Sequence, residues 1–272
     1  MTQSPSSVSP SAPLPLTVDT LAAQLADCGL ASGQTVLVHM AMSKLGWVVG
    51  GAQAVIQALL QVLGPSGTLM MPTHTADNTE PSLWQHPPVP ESWWPVIRTQ
   101  MPAYDPVTSP TRMMGRVAEL FRHWPGARRS AHPVGSFAAL GPQAEILTAH
   151  HQLEDEFGPT SPIGRLYTLG GFVLLLGVNH GNNTSLHLAE LRASWPSKRF
   201  VQQGTALRVN GQRQWVYYPE LDFNDDDFPQ LGEAYEAEHG IPRGQVGQAE
   251  AHFMLQRPLV DWAVGWIERN RS

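Results

Sequence analysis

The sequence predicts an α/β protein of mixed α+β character, with a central mixed sheet flanked by helices and with long ordered loops. Three observations predict it. Thr35 to Met40 and Thr68 to Met71 read as strands on either side of a helix whose Val55, Ile56, Leu59, Leu60 and Leu63 share a face. That is a β-loop-α-β unit, which pairs its strands in parallel. Phe172 to Val178 is a continuous apolar run, the pattern of a strand covered on both faces. Phe200 to Tyr218 alternates and carries Asn210-Gly211, a hairpin signal that adds antiparallel strands.

The elements follow in order. Residues 1–16 are Ser/Pro-rich and lack a basic or strongly apolar stretch, so they read as a flexible tail before one domain, 17–272. Thr17 to Gly29 is a helix, capped by Thr17 and stopped by Gly29. Pro72 to Pro110 holds Trp84, Trp93 and Trp94 without clear periodicity and reads as a long ordered loop or lid. Gly115 to Arg122, Pro142 to His151 and Ser161 to Leu169 are expected helices, with a short strand at Ser136 to Leu140. Ser185 to Ser194, Phe228 to His239 and Leu259 to Arg269 complete the helices.

Composition bounds the function. With 272 residues, 42% hydrophobic and 15% charged, the chain can bury a full core. A net charge of −6 argues against a nucleic-acid binder and suits cationic small molecules. The one cysteine, Cys28, excludes an internal disulfide and a cysteine-based zinc site. No apolar run reaches the roughly 18 residues of a membrane helix, and the expected location is the cytoplasm.

The stretch most suggestive of chemistry is Asn183 to Glu190, just after the Phe172 to Val178 strand. His187 and Glu190 are three apart and share one helix face. A carboxylate beside an imidazole orients the ring and raises its basicity, as a general base requires. Thr184 is placed as N-cap, and the helix N-terminus and Glu190 pull the histidine in opposite senses. An ordinary histidine bonded to a neighbouring glutamate gives the same pattern, but the carboxyl end of a central strand is where α/β sites collect.

Four further stretches are candidates. Val38 to Gly51 joins a strand to a helix and offers backbone amides, Ser43 and Lys44 to a phosphate, though it also reads as a plain tight loop. Ser109 to Gly115 is a second loop-to-helix junction, and His132 before Pro133 is an extended loop residue. The acidic stretches Glu154 to Glu156 and Asp222 to Asp227 read as solvated faces or, if they line one cavity, as an attractor for a polycation. His39, His74, His132 and His187 could converge on a metal, but the sequence has no HExxH or His-x-His spacing and no metal is expected.

Seven separated segments together resemble the aminoglycoside 3-N-acetyltransferases, the antibiotic N-acetyltransferase family. They are Val38 to Thr73, Pro87 to Trp94, Tyr104 to Gly115, Arg128 to Gly141, Ser161 to Val178, Asn182 to Glu190 and Leu221 to Tyr235. The resemblance spans residues 17–267 in the family's order. It implies a fold unlike the common acetyltransferase fold, acetyl-CoA as donor and a 2-deoxystreptamine aminoglycoside as acceptor, in a monomer or homodimer. It implies His187 as catalytic base and Glu190 as its partner. It places the coenzyme against Met42, Ser43, Lys44, Leu45, Gly46 and Trp47, with Ser109, Thr111 and Met114. It turns Trp84, Glu154, Asp222, Asp225 and Asp226 toward the antibiotic's ammonium groups. Met40, Ala41 and Met42 stand where resistance enzymes often carry serines, and the Trp-rich Pro87 to Trp94 resembles a divergent branch. An acetyltransferase of another small amine is therefore the alternative, with a metal-dependent hydrolase as the reading from another class.

Overall fold

The computed structural model describes residues 14–85 and 87–272. Its core is a seven-stranded sheet built from β1 (Thr35–Met40), β2 (Thr68–Pro72), β3 (Arg128–Arg129), β4 (Phe137–Leu140), β5 (Phe172–Leu176), β8 (Arg243–Val246) and β9 (Ala249–Leu255). The order is β3-β4-β2-β1-β5-β9-β8. β1 lies between β2 and β5 and pairs in parallel with both. β4 and β9 close on this parallel centre in antiparallel fashion, which makes the sheet mixed.

Period-two alternation sends the strand side chains to two cores. Val36, Val38, Leu69, Met71, Leu174 and Leu176 pack on one face against α1 (Val18–Asp27), α2 (Gly51–Leu63) and α4 (Gly115–Phe121). Leu37, Met70, Val173 and Leu175 face the opposite core, with α5 (Ala144–Thr148), α6 (Pro162–Thr168), α7 (Leu186–Arg192), α8 (Phe228–His239) and α9 (Gln256–Asn270). Both faces are covered, which is why β1 and β5 read as unbroken apolar runs. Thr17 caps α1 through a reciprocal capping box with Thr20.

β6 (Phe200–Val209) and β7 (Gln212–Leu221) form a separate hairpin. Its turn residues Asn210 and Gly211 both have positive φ, as a tight right-twisting hairpin turn requires.

The structure corrects several expectations. Leu16, assigned to the tail, makes a bridge with Val48, and residues 1–13 lie outside the described residues. The expected loop Pro72 to Pro110 contains α3 (Trp94–Gln100), with Pro95 in the first turn where proline is tolerated. The helix expected over Pro142 to His151 spans only Ala144–Thr148, because Ala149 turns extended and His150 has φ 43°. Ser185, not Thr184, occupies the N-cap of α7, and no side chain caps it. β3, β8 and β9 were not expected. Among the described residues no helix is long and apolar enough to cross a membrane.

Candidate active site

The carboxyl ends of the three parallel strands converge. β1 delivers His39 and Met40, β2 delivers Pro72 with His74 beyond it, and β5 runs into Val178 and the loop to α7. These residues line a cavity of about 330 Å³, together with Glu156, Phe157, Asp225 and His187. A ligand site outside the carboxyl ends of parallel strands follows from the topology.

His187 stands in the first turn of α7. Its Nδ1 lies 2.5 Å from Glu190 Oε2, and the Glu190 side chain is fully buried. Glu190 Oε1 accepts from Asn224 N at 3.1 Å and from Arg271 Nη1 at 2.5 Å. Both carboxylate oxygens are thus bonded, and the imidazole is held by the one that remains. Phe157 stacks on the His187 ring at 4.9 Å, and Phe223 and Phe228 lie tilted against it at 4.8 and 5.0 Å. The ring has one orientation. Its Nε2 has no hydrogen-bond partner among the described residues, and the residue lines the cavity.

The other histidines of this cavity are electrically silent near neutral pH. Burial, reinforced by the neighbouring His187 and His180, lowers His39 to about 3. Burial, with His39, His187, His132 and Arg129 adding to it, lowers His74 to about 3. Glu156, by contrast, is pushed well above the usual carboxylate range by burial and by Glu220 beside it.

A second groove, of about 600 Å³, adjoins the first. Met42, Ser43 and Gly46 line it on one side, and Met114 and Arg116 on the other. Met40, Met113, Met114, Val178 and Asn182 belong to both cavities, so the grooves meet beside the loop that leads to His187.

The remaining sequence-expected residues separate from these cavities. Leu45 is fully buried in the core and Trp47 is 71% exposed; neither lines the groove. Lys44 lines a different cavity of about 290 Å³ with His180 and Arg243. Ser109 is used in a turn, accepting from Asp105 N at 3.0 Å, and Thr111 donates to Glu119 at 2.7 Å beside a shallower groove. Trp84 donates its indole N–H to Thr79 at 2.7 Å, away from the cavity. Glu154 and Asp226 are exposed, and Asp222 pairs with Arg199 at 2.6 Å; of the expected acidic residues only Asp225 reaches the cavity. Phe157, Asn224, Arg116 and Arg271 were not singled out, and Glu156 was expected only within the acidic stretch Glu154 to Glu156. Glu156 belonged to a charge run whose burial no local pattern reveals, and Arg271 is 81 residues from its partner.

His180, Glu236 and His252 bring metal-ligand atoms within 4.8 Å of one another. Hydrogen bonds already use them. Glu236 Oε1 accepts from His180 Nε2 at 2.9 Å and from His252 Nδ1 at 2.5 Å. Asn183 Nδ2 donates to His180 Nδ1 at 3.3 Å, which puts the His180 proton on Nε2, the atom a metal would need bare. Burial pushes Glu236 up, but the bonds from the two imidazoles outweigh it and hold the carboxyl at about 2. The trio braces the loop that precedes α7.

Known proteins share this fold. The family model described as aminoglycoside 3-N-acetyltransferase matches residues 37–268. The chain is 42% identical over 259 residues to the SPbeta prophage-derived aminoglycoside N(3')-acetyltransferase-like protein YokD of Bacillus subtilis, covering 95% of this chain and 94% of that one. It is 41% identical over 268 residues to aminoglycoside N(3)-acetyltransferase VII of Streptomyces paromomycinus, covering 93% and 92%. The YokD crystal structure superposes with a TM-score of 0.92 over 96% of both chains. A structure of AAC-IIIb with CoASH gives 0.84 at 31% identity, covering 94% of this chain and 97% of that one. AAC-VIa bound to sisomicin gives 0.85 at 29% identity, covering 95% and 100%. With a family match over most of its length and relatives 42% and 41% identical over nearly the whole chain, the chain belongs to the aminoglycoside 3-N-acetyltransferase family.

Proposed function

We propose that the protein transfers the acetyl group of acetyl-CoA to the 3-amino group of a 2-deoxystreptamine aminoglycoside, directly and in a ternary complex, with His187 as general base. The observation that carries this reading is the placement of His187. Its Nδ1 is tied to buried Glu190, while the ring borders a cavity that adjoins a second groove. The coenzyme occupies the Met42–Gly46 groove with its thioester at the junction, and the acceptor occupies the cavity. His187 Nε2 takes a proton from the acceptor amine as nitrogen attacks the thioester carbon. The carbon–sulfur bond breaks, and the leaving thiolate takes the proton back from the His187 imidazolium to depart as the thiol. Glu190 keeps the ring in the tautomer with its proton on Nδ1 and stabilises the imidazolium that forms.

Charge supports a cationic acceptor. His39 and His74 stay neutral, so the cavity carries no fixed positive charge from them, while Asp225 lies at its wall. Arg116 borders the second groove, where phosphates would lie. Structures of two relatives, AAC-IIIb with CoASH and AAC-VIa with sisomicin, support the same pair of ligands. Acetylation removes a cationic amine from the antibiotic, and resistance is the expected consequence.

A second reading, transfer to another small amine, is favoured by one observation: the methionines Met40, Met113 and Met114 shared by both cavities make an apolar junction. A free-thiol assay with acetyl-CoA against aminoglycosides and simple amines tests both. Thiol release with sisomicin supports the first reading; release only with simple amines supports the second. Loss of activity on chelation would overturn both in favour of metal-dependent chemistry.

A further inference from the structure

Glu156 is a buried acid with no cation. It is 8% exposed and lines the cavity wall one residue from Phe157, whose ring stacks on His187. Among the described residues no lysine or arginine pairs with it, and its hydrogen-bonding neighbour is another carboxyl, Glu220 of β7. Glu220 is fixed from behind, accepting from Gln203 Nε2 at 3.0 Å and from Tyr218 Oη at 3.2 Å. Gly135 makes room for Glu156, since a Cβ there would overlap its carboxyl. A second orphan lies in the same cavity: His74 Nε2 is buried without a partner.

An unpaired buried carboxyl is costly unless a ligand completes it. We propose that Glu156, backed by Glu220, is a binding subsite for a second ammonium group of the acceptor, distinct from the amine that reacts. This rests on the transfer reading for the identity of the acceptor. The ligand class follows from what surrounds the pair. The nearby imidazoles of His132 and His151 are not available to a metal, because their ring nitrogens are all engaged. His132 Nε2 bonds Leu153 O and its Nδ1 accepts from Val134 N and Gly135 N. His151 bonds Ser130 Oγ and Glu156 O. Two carboxyl groups alone suit an ammonium group, which donates three hydrogen bonds and carries one charge.

Burial and the neighbouring Glu220 carboxyl hold a proton on Glu156. The other titratable groups around them, Tyr218 of β7 and the imidazoles of His132 and His151, are held uncharged by burial, and Glu154 is exposed. An entering ammonium stabilises the ionised form of Glu156, so its proton leaves for solvent as the acceptor binds. The subsite therefore selects di- and polycationic amines over monoamines.

Calorimetry with sisomicin, and with cyclohexylamine as a one-ammonium probe, tests this in two buffers of different ionisation enthalpy. Wild-type protein is expected to release about one more proton on binding sisomicin than Glu156→Gln does. Glu156→Gln and Glu220→Gln are expected to weaken sisomicin binding roughly tenfold or more and to leave cyclohexylamine binding within about twofold. Sisomicin affinity and proton count matching wild type in both variants would overturn the subsite, as would equal weakening of both amines. If Glu156→Gln does not fold, Glu220→Gln and the wild-type proton count decide. Absence of thiol release from acetyl-CoA in the wild-type protein would overturn the transfer reading alone, since binding is read without turnover.

Discussion

Arg271 reaches Glu190 Oε1 at 2.5 Å, leaving Oε2 to hold His187. The guanidinium sits between two acids, for it also bonds both carboxylate oxygens of Asp227 and the carbonyl of Asn224. The end of the chain thereby ties the acidic loop and α7 together. Its cation offsets the cost of a wholly buried carboxylate.

Removing that cation has two expected effects. Arg271→Ala leaves buried Glu190 without its cation, and breaking such a pair costs about 3 kcal/mol of stability. With the carboxylate free to move, kcat is expected to fall roughly tenfold with little change in coenzyme KM. Urea unfolding and the thiol assay check both, and Arg271→Lys should recover part of the stability. Wild-type stability in Arg271→Ala would show that the clamp is dispensable.

Stability should fall in mild acid. Burial lowers His39, His74 and His151 each to about 3. The unfolded chain titrates these groups near 6.5, so below that pH it binds more protons than the folded one. The stabilisation is complete above about pH 6.5 and is lost progressively as pH falls toward 3, at up to roughly 4 kcal/mol per pH unit for the three together. Urea titrations at pH 7 and pH 5 measure the slope, and His151→Asn should flatten it by about a quarter, since burial also holds His132 neutral. A stability independent of pH over that interval would contradict the neutral, buried state of these rings.

The acidic loop should not act as a unit. Asp225 lines the cavity, whereas Asp222 pairs with Arg199 and Asp226 is exposed. Asp225→Asn is expected to raise the sisomicin KM about threefold to tenfold at low salt, with the effect shrinking as salt rises. Asp222→Asn and Asp226→Asn should stay within about twofold. Equal effects at all three positions would mean long-range attraction rather than contact.

Arg116 and Lys44 should likewise divide. Arg116 borders the groove assigned to the coenzyme, and Lys44 borders a different cavity. Arg116→Ala is expected to raise the acetyl-CoA KM roughly fivefold, more at low ionic strength, and Lys44→Ala to leave it nearly unchanged. The reverse order would move the phosphates to the Lys44 side.

Much of the frame was legible because its signals are local. Val36, Leu37 and Val38 fill β1, Asn210-Gly211 makes the hairpin turn, and Phe228 to His239 is helical over the expected span. The His187–Glu190 pair was legible because three residues on a helix fix two side chains together. What sequence did not reveal depends on distant partners. β9 is a strand because it pairs with β5 some 80 residues away, setting His252 opposite Leu175. Glu154 and Glu156 are chemically alike and two apart, yet packing exposes one and buries the other. Leu45 sits in a loop that suited a coenzyme by position, but its side chain fills the core.

Proton abstraction by His187 is tested most directly by steady-state thiol release from acetyl-CoA with saturating sisomicin in His187→Ala, alongside coenzyme binding by calorimetry. The expected result is a kcat lowered by about 10²–10⁴-fold, with coenzyme affinity within about twofold of wild type and Glu190→Gln falling between the two. Turnover in His187→Ala within about threefold of wild type, at unchanged coenzyme affinity, would contradict His187 as the base.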